Sequence, residues 1–246
     1  MCIRMDAMIL AAGLGTRLRP LTDTIAKPLL RVGGVPLLER IARRLVSAGA
    51  DRLIINTHHF PDQVIEHVRS CDDFGVEVVF SHEPEEPLDT GGGLWHARRH
   101  FRRDAPFFLH NGDILTDAPL EALYAAHAGD GALATLAVRP ASEQRYLIFD
   151  DDGLVGFSPR GGGAERVVRA VAGELKRWDF AGIHVIDPRI FEADVDAEIF
   201  SIIDLYLRLS KEGQAVRPFP FDGVWLDIGT PEALARADQA ATGMTV

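Results

Sequence analysis

Ala7-Met8-Ile9-Leu10-Ala11-Ala12-Gly13-Leu14-Gly15-Thr16-Arg17-Leu18-Arg19-Pro20 decides how the rest of this 246-residue chain is read. The short apolar run from Ala7 to Ala12 ends in glycine, as a buried strand does when it runs into a loop. The loop from Gly13 to Lys27 mixes Gly, Thr, Arg and Pro without a period. A glycine-rich turn after a buried strand exposes backbone N–H groups that can cradle phosphate oxygens. Gly13 and Gly15 permit close approach because they lack a Cβ, and Arg17 and Lys27 add positive charge. On spacing alone, a tight strand-to-loop turn explains the glycines equally well. Two familiar phosphate loops are excluded. The spacing is not GxxxxGK[ST], and Leu18 stands where the dinucleotide fingerprint GxGxxG requires its third glycine.

Outward from this loop the chain alternates. Leu37, Leu38, Ile41, Leu45 and Val46 recur at helical spacing between Pro36 and Gly49, which suit a helix start and stop. Strands are predicted at 52–56, 76–80, 106–110 and 132–138, and helices at 62–69, 93–101 and 120–128. Strands separated by helices imply an α/β fold, with a largely parallel sheet between two helical layers. After Arg139 the rhythm changes. Tyr146–Phe149, Asp150–Gly153 and Leu154–Phe157 read as a β-hairpin. A strand at 179–186 and helices at 199–210 and 231–239 follow. With no repeat, low-complexity tract or linker, residues 1–246 are expected to form one domain with an embellished second half.

Composition bounds the function. The chain is 47% hydrophobic and 25% charged, ordinary values for a folded protein large enough to need no disulfide or metal staple. Its net charge of −10 argues against nucleic acid and anionic membranes as partners. Cys2 and Cys71 form no framework, which suits a cytoplasmic location. Neither a signal peptide nor an apolar stretch of about 20 residues, the length of a membrane span, is expected. Arg4, Arg17, Arg19, Lys27 and Arg31 outweigh Asp6 and Asp23 in the N-terminal segment. That local excess is either a site for a small anion or a solvated run of charge.

Residues 10–32, LAAGLGTRLRPLTDTIAKPLLRV, closely resemble the signature of the sugar-phosphate nucleotidyltransferases. The likeness continues through His110-Asn111-Gly112-Asp113, Phe180-Ala181-Gly182-Ile183 and Trp225-Leu226-Asp227-Ile228-Gly229-Thr230-Pro231. It implies a three-layer α/β/α fold, Rossmann-like and GT-A-like, with a mixed, mostly parallel sheet. The nucleotide half would span about residues 1–115 and the sugar-phosphate half about 116–246. By the same resemblance Leu10, Ala11, Ala12 and Gly13 line the base and ribose. Gly15, Thr16 and the Arg17 guanidinium hold the β- and γ-phosphates. Lys27 stabilises charge in the transition state, and Gly91, in Leu88-Asp89-Thr90-Gly91-Gly92-Gly93, approaches the nucleotide. Asn111 and Gly182 lie near the sugar and its phosphate, while Asp113 and Asp227 hold Mg²⁺. The family's Glu-Lys-Pro is replaced here by Phe157-Ser158-Pro159-Arg160, so Arg160 is the candidate for the missing lysine charge. The Asp-Thr-Gly-Gly-Gly loop resembles the short muramate and mannose 1-phosphate enzymes.

The implied reaction joins an NTP, UTP or GTP above all, to a sugar 1-phosphate and releases pyrophosphate. A phosphate monoester is mostly dianionic at pH 7, so no general base is needed. Two other readings compete. A dinucleotide oxidoreductase would want glycine at position 18 and an acidic residue ending the second strand, where Leu18 and Asn56 stand. A non-catalytic nucleotide-sugar sensor could dispense with Arg17, Lys27, Asp113 and Asp227, all of which are present.

Overall fold

The computed structural model describes residues 4–83, 85–141, 146–159 and 163–241. Strands run in chain order as β1 (Asp6–Leu10), β2 (Arg31–Val32), β3 (Val35–Pro36), β4 (Arg52–Thr57), β5 (Glu77–His82), β6 (Phe107–Asn111) and β7 (Ile114–Thr116). They continue as β8 (Ala134–Pro140), β9 (Tyr146–Asp150), β10 (Gly153–Ser158), β11 (Arg166–Val167), β12 (Lys176–Ile186), β13 (Val216–Pro220) and β14 (Trp225–Asp227). The helices are α1 (Leu37–Ser47), α2 (Pro61–Ser70), α3 (Asp89–Ala97), α4 (Leu120–Asp130), α5 (Ile202–Lys211) and α6 (Pro231–Ala240).

The run that opened the reading becomes β1, in the heart of a 10-stranded sheet, paired in parallel with β4 on one side and β6 on the other. Side chains alternate between two cores, as strand geometry requires. Ala7 and Ile9 face one core with Leu53, Ile55 and Phe108, while Met8 faces the other with Ile54, Phe107 and Leu109. Helices α1, α2, α4 and α6 add apolar residues to the first core, and α3 and α5 to the second. This is the expected three-layer α/β/α arrangement. The chain passes from β1 to β4 and β5 on one flank, then crosses to β6 on the other. The order of strands therefore reverses at β1, where open α/β sheets bind ligands at the carboxyl ends of their strands.

Beyond β6 the pairing changes. β12 runs antiparallel to β6, β8 and β9, and β10 runs antiparallel to β9 and β11. β12 and β10 alone oppose the common direction, so the sheet is mixed but mostly parallel in orientation. Around Gly182 the pairing register of β12 shifts between Phe180 and His184. A separate antiparallel pair, β7 with β14, sets Asp227 opposite Ile114. The hairpin appears as β9–β10. Short β2, β3, β7 and β14, together with β13, went unpredicted because 2–5 residues carry too little periodic signal. The helix expected at 93–101 instead starts at Asp89 and gives way after Ala97 to a 3₁₀ turn. No helix among the described residues is long and apolar enough to cross a membrane.

Candidate active site

Two hollows open side by side where β1, β4 and β6 end. The first, about 450 Å³, is bounded by the loop Leu10–Thr16, Lys27 and the end of β6. Gly15 turns the chain with φ +64°, and a Cβ there would lie 2.8 Å from Thr22 Cγ2. Glycine is required on both counts. The Gly15 carbonyl accepts bonds from Leu18 N and Thr22 Oγ1, both 2.8 Å, which fastens the loop to the segment leading into Lys27.

Lys27 reaches across to β6, where its Nζ donates to Asp113 Oδ2 at 2.5 Å. The lysine side chain is 13% exposed and the carboxylate 29%, open enough to meet a ligand yet held in place. Gly112 N donates to Leu10 O at 2.9 Å, locking the turn that carries Asp113 onto the end of β1. His110 is buried just before this turn, and its Nδ1 lies 2.8 Å from Asn111 O. A carbonyl only accepts, so Nδ1 carries the proton. Burial holds this imidazole down to about 4, leaving it neutral.

Asn111, Asp113, Asp89 and Thr90 line both hollows, so the second, about 650 Å³, begins where the first ends. Its walls carry Tyr146, Phe180, Trp225 and Gly182, and the carboxylates Asp113, Asp179 and Asp227. Ile228 N donates to Asp113 O at 2.8 Å, which joins the two loops bearing Asp113 and Asp227 beside the β7–β14 pair. No lysine or arginine lines this hollow among the described residues. With Asp89, four carboxylates there would repel an entering phosphate unless a divalent cation intervened. Asn111 Oδ1 is buried without a hydrogen-bond partner among the described residues, as a donor-seeking oxygen beside a cation would be. Asp113 and Asp227 are hard oxygen ligands of the kind Mg²⁺ takes together with phosphate oxygens and water. The residues fit the ion.

Other expected residues fall differently. Arg17 is exposed and lines neither hollow, but its guanidinium lies against the backbone of the Asp227 loop: a Cβ on Gly229 would come 2.6 Å from Nη2. Gly182 abuts Asn111, whose Nδ2 would lie 2.8 Å from a Cβ at that glycine. Gly91 is buried and also lines neither hollow. Its missing Cβ makes room for the Phe200 ring, which would lie 2.3 Å away, and its N–H donates to Phe200 O at 2.9 Å. The glycine run thus packs α3 against the segment before α5. Thr90 does not cap its own helix; its Oγ1 accepts from Ile202 N at 3.0 Å. Arg160 lies outside the described residues.

Sequence reading missed a buried pair in the wall of the first hollow. Asn56 Oδ1 accepts from Ala11 N at 2.5 Å, and Asn56 Nδ2 donates to Glu83 Oε1 at 2.6 Å. Glu83 Oε2 accepts from Leu88 N at 2.9 Å. At 2% and 1% exposure, the two side chains bind together the loops after β1, β4 and β5. The signal was polar: an Asn ending Leu-Ile-Ile-Asn and a Glu after a strand, two polar residues where parallel strands emerge.

The family model for nucleotidyl transferases matches residues 6–243. An N-acetylmuramate alpha-1-phosphate uridylyltransferase from Caulobacter vibrioides is 35% identical over 239 residues, covering 94% of this chain and 95% of its own. A mannose-1-phosphate guanyltransferase from Kluyveromyces lactis is 30% identical over 93% of this chain, which spans 62% of that relative's length. Among solved structures, UTP-bound UGPase from Acinetobacter baumannii superposes with TM-score 0.76 at 19% identity, over 97% of this chain and 93% of its own. With a glycine loop, Lys27 and Asp113 meeting where the two hollows adjoin, and with a family match over nearly its whole length, this chain belongs to the nucleotidyl transferase family.

Proposed function

We propose that the chain condenses an NTP, UTP or GTP, with a sugar 1-phosphate to give an NDP-sugar and pyrophosphate, as a Mg²⁺-dependent cytoplasmic enzyme. The observation that carries this reading is the Lys27–Asp113 contact of 2.5 Å at the boundary shared by the two hollows. A triphosphate lying along the glycine loop and a sugar phosphate in the carboxylate-lined hollow would meet there.

A sugar-phosphate oxygen attacks the α-phosphorus; the new O–P bond forms as the bond to the β-phosphate oxygen breaks, and pyrophosphate leaves with that electron pair. When bound, Mg²⁺ on Asp113 and Asp227 supplies charge neutralisation and a template for in-line geometry. Lys27 is poised to turn from Asp113 toward the phosphates and offset charge as it spreads in the transition state. Arg17, lying along the Asp227 loop, is placed to pair with pyrophosphate oxygens from the open side. The aromatic walls Tyr146, Phe180 and Trp225 suit the apolar faces of a sugar ring. The Caulobacter relative, matching in length, favours UTP and N-acetylmuramate α-1-phosphate over the mannose and GTP pair of the longer relatives.

The test is pyrophosphate release from each NTP against a panel of sugar 1-phosphates, with and without Mg²⁺. Release confined to one pair and abolished by a chelator supports the reading; nucleotide-sugar binding with no release at any pair would leave a sensor instead. Lys27→Ala should lower kcat at least about tenfold if the lysine supplies about 1.4 kcal/mol to the transition state. An unchanged rate would reject that role.

A further inference from the structure

Away from both hollows, α1 and the end of α2 bring three different side chains to one point. His67 and Cys71 stand four residues apart, the spacing that stacks side chains on one helix face, and Glu39 meets them from the first turn of α1. His67 Nε2 lies 3.3 Å from Glu39 Oε2 and 3.7 Å from Cys71 Sγ. All three ligand atoms lie within 4.8 Å of one another, and no other His, Cys, Asp or Glu trio among the described residues converges so closely.

Both contacts fall on the same ring nitrogen, and this separates two chemistries. A proton relay places its partners on opposite nitrogens of the imidazole. A single Nε2 has one proton or one lone pair, so as a hydrogen-bonding group it serves one of the two well and leaves the thiol to share Glu39. A cation between the three atoms satisfies them all. With Zn–S of about 2.3 Å and Zn–N and Zn–O of about 2.0–2.2 Å, a tetrahedral ion spaces N from O by about 3.4 Å and N from S by about 3.6 Å. The observed 3.3 and 3.7 Å are close to these spacings, and the remaining oxygen–sulfur separation lies within 4.8 Å. Arg43 Nη2 holds the other Glu39 oxygen at 2.8 Å, which leaves Oε2 turned toward His67, in the way that ligating carboxylates are held by outer partners. His67 and Glu39 keep 20% and 16% of their side-chain surface exposed, which leaves a path for an ion and room for a water as fourth ligand.

We propose that Glu39, His67 and Cys71 form a three-residue site for a Zn²⁺-class cation that staples α1 to α2. Binding would release the Cys71 thiol proton to solvent as the sulfur takes the metal. None of the three residues lines either hollow, so the site is separate from the proposed Mg²⁺ position and does not rest on the proposed reaction.

The full chain, stripped of metal, is titrated with Co²⁺ as probe and then with Zn²⁺, without Mg²⁺ or nucleotide. One equivalent should produce a thiolate-to-cobalt charge-transfer band and tetrahedral d–d absorption, and Zn²⁺ should displace the ion. The band should vanish in Cys71→Ser but persist in Cys2→Ser and in Asp113→Asn. His67→Gln and Glu39→Gln should each weaken Zn²⁺ binding by about tenfold or more. Zn²⁺ should also slow labelling of Cys71 by a thiol reagent in the wild type and not in His67→Gln, a readout that stands even if Cys71→Ser folds poorly. A wild-type titration with no thiolate band, or a band that survives Cys71→Ser, overturns the proposal.

Discussion

The two hollows are neighbours built by opposite means. The first takes its walls from a contiguous loop after β1 and from the ends of parallel strands, and offers chiefly backbone and small side chains. The second gathers aromatic rings and carboxylates from β9, β12 and β14, with Asp89 of α3 and Asp113 after β6. A triphosphate varies little beyond its base, so a fixed loop can hold its phosphates. Sugars differ in the direction of each hydroxyl, and scattered side chains on antiparallel strands can be exchanged one at a time without disturbing the loop. On the proposed reaction, the difference assigns two tasks: the first hollow would hold the phosphates and the second would select the acceptor.

The sharpest way to break this division lies on the seam. Asp113→Asn should lower pyrophosphate release by about 1,000-fold, about 4 kcal/mol, for every substrate pair, with an unchanged circular dichroism spectrum. A loss confined to one sugar would assign Asp113 to the second hollow alone. Next in size, Asn56→Ala leaves the Glu83 carboxylate without its Nδ2–H donor and Ala11 N–H without an acceptor. A stability loss of about 3 kcal/mol is expected for unsatisfied buried groups, a fall in Tm of roughly 6–12 °C in a domain of this size. Thermal melting checks it, and nucleotide affinity should fall with it because the loop is no longer anchored. Smaller still, Trp225→Phe removes the Nε1–H bond to Ala181 O, 2.8 Å long, from the wall of the second hollow. KM for the sugar phosphate should rise about fivefold, the worth of one hydrogen bond near 1 kcal/mol, while KM for the NTP stays put. A shift in both would erase the distinction between the hollows.

Near neutrality the least change is expected from pH. His110 on β6 and His184 on β12 are both buried beside the line where the parallel and antiparallel regions pair. Burial holds them down to about 4 and about 3, against roughly 6.5 in an unfolded chain. Below that value the unfolded chain binds more protons than the folded one. Stability is therefore full above about pH 6.5 and drains as pH falls through the folded values near 4 and 3. Hydrogen exchange should show β6 and β12 losing protection first on acidification; early loss at β4 and β5 instead would shift the weak line elsewhere.

This asymmetry also governs what the chain's letters revealed. The first hollow was legible because its parts are contiguous: a run of apolar residues, a glycine turn, then Lys27, all within thirty residues. The strongly amphipathic α1 fell within a residue or two of its expected limits, as did α4 despite its weak amphipathic pattern. The second hollow was legible only at Asn111, Asp113, Gly182 and Asp227, where family resemblance supplied the reading; Tyr146, Phe180 and Trp225 come from three strands far apart in the chain, which no local pattern brings together. Asn56 and Glu83 escaped because a buried polar pair looks, in a sequence, like two unrelated surface residues. Gly91 looked like a ligand-facing glycine, since close approach to a phenylalanine and close approach to a nucleotide leave the same mark.

The β7–β14 ladder has a consequence for synthesis. Asp113 emerges from the ribosome with the first half of the protein, but its proposed companion Asp227 arrives on the last strand. During synthesis every residue that lines the first hollow is therefore made before the second carboxylate exists. If Asp113 and Asp227 jointly hold the proposed ion, nucleotidyl transfer would begin only once that final strand has docked.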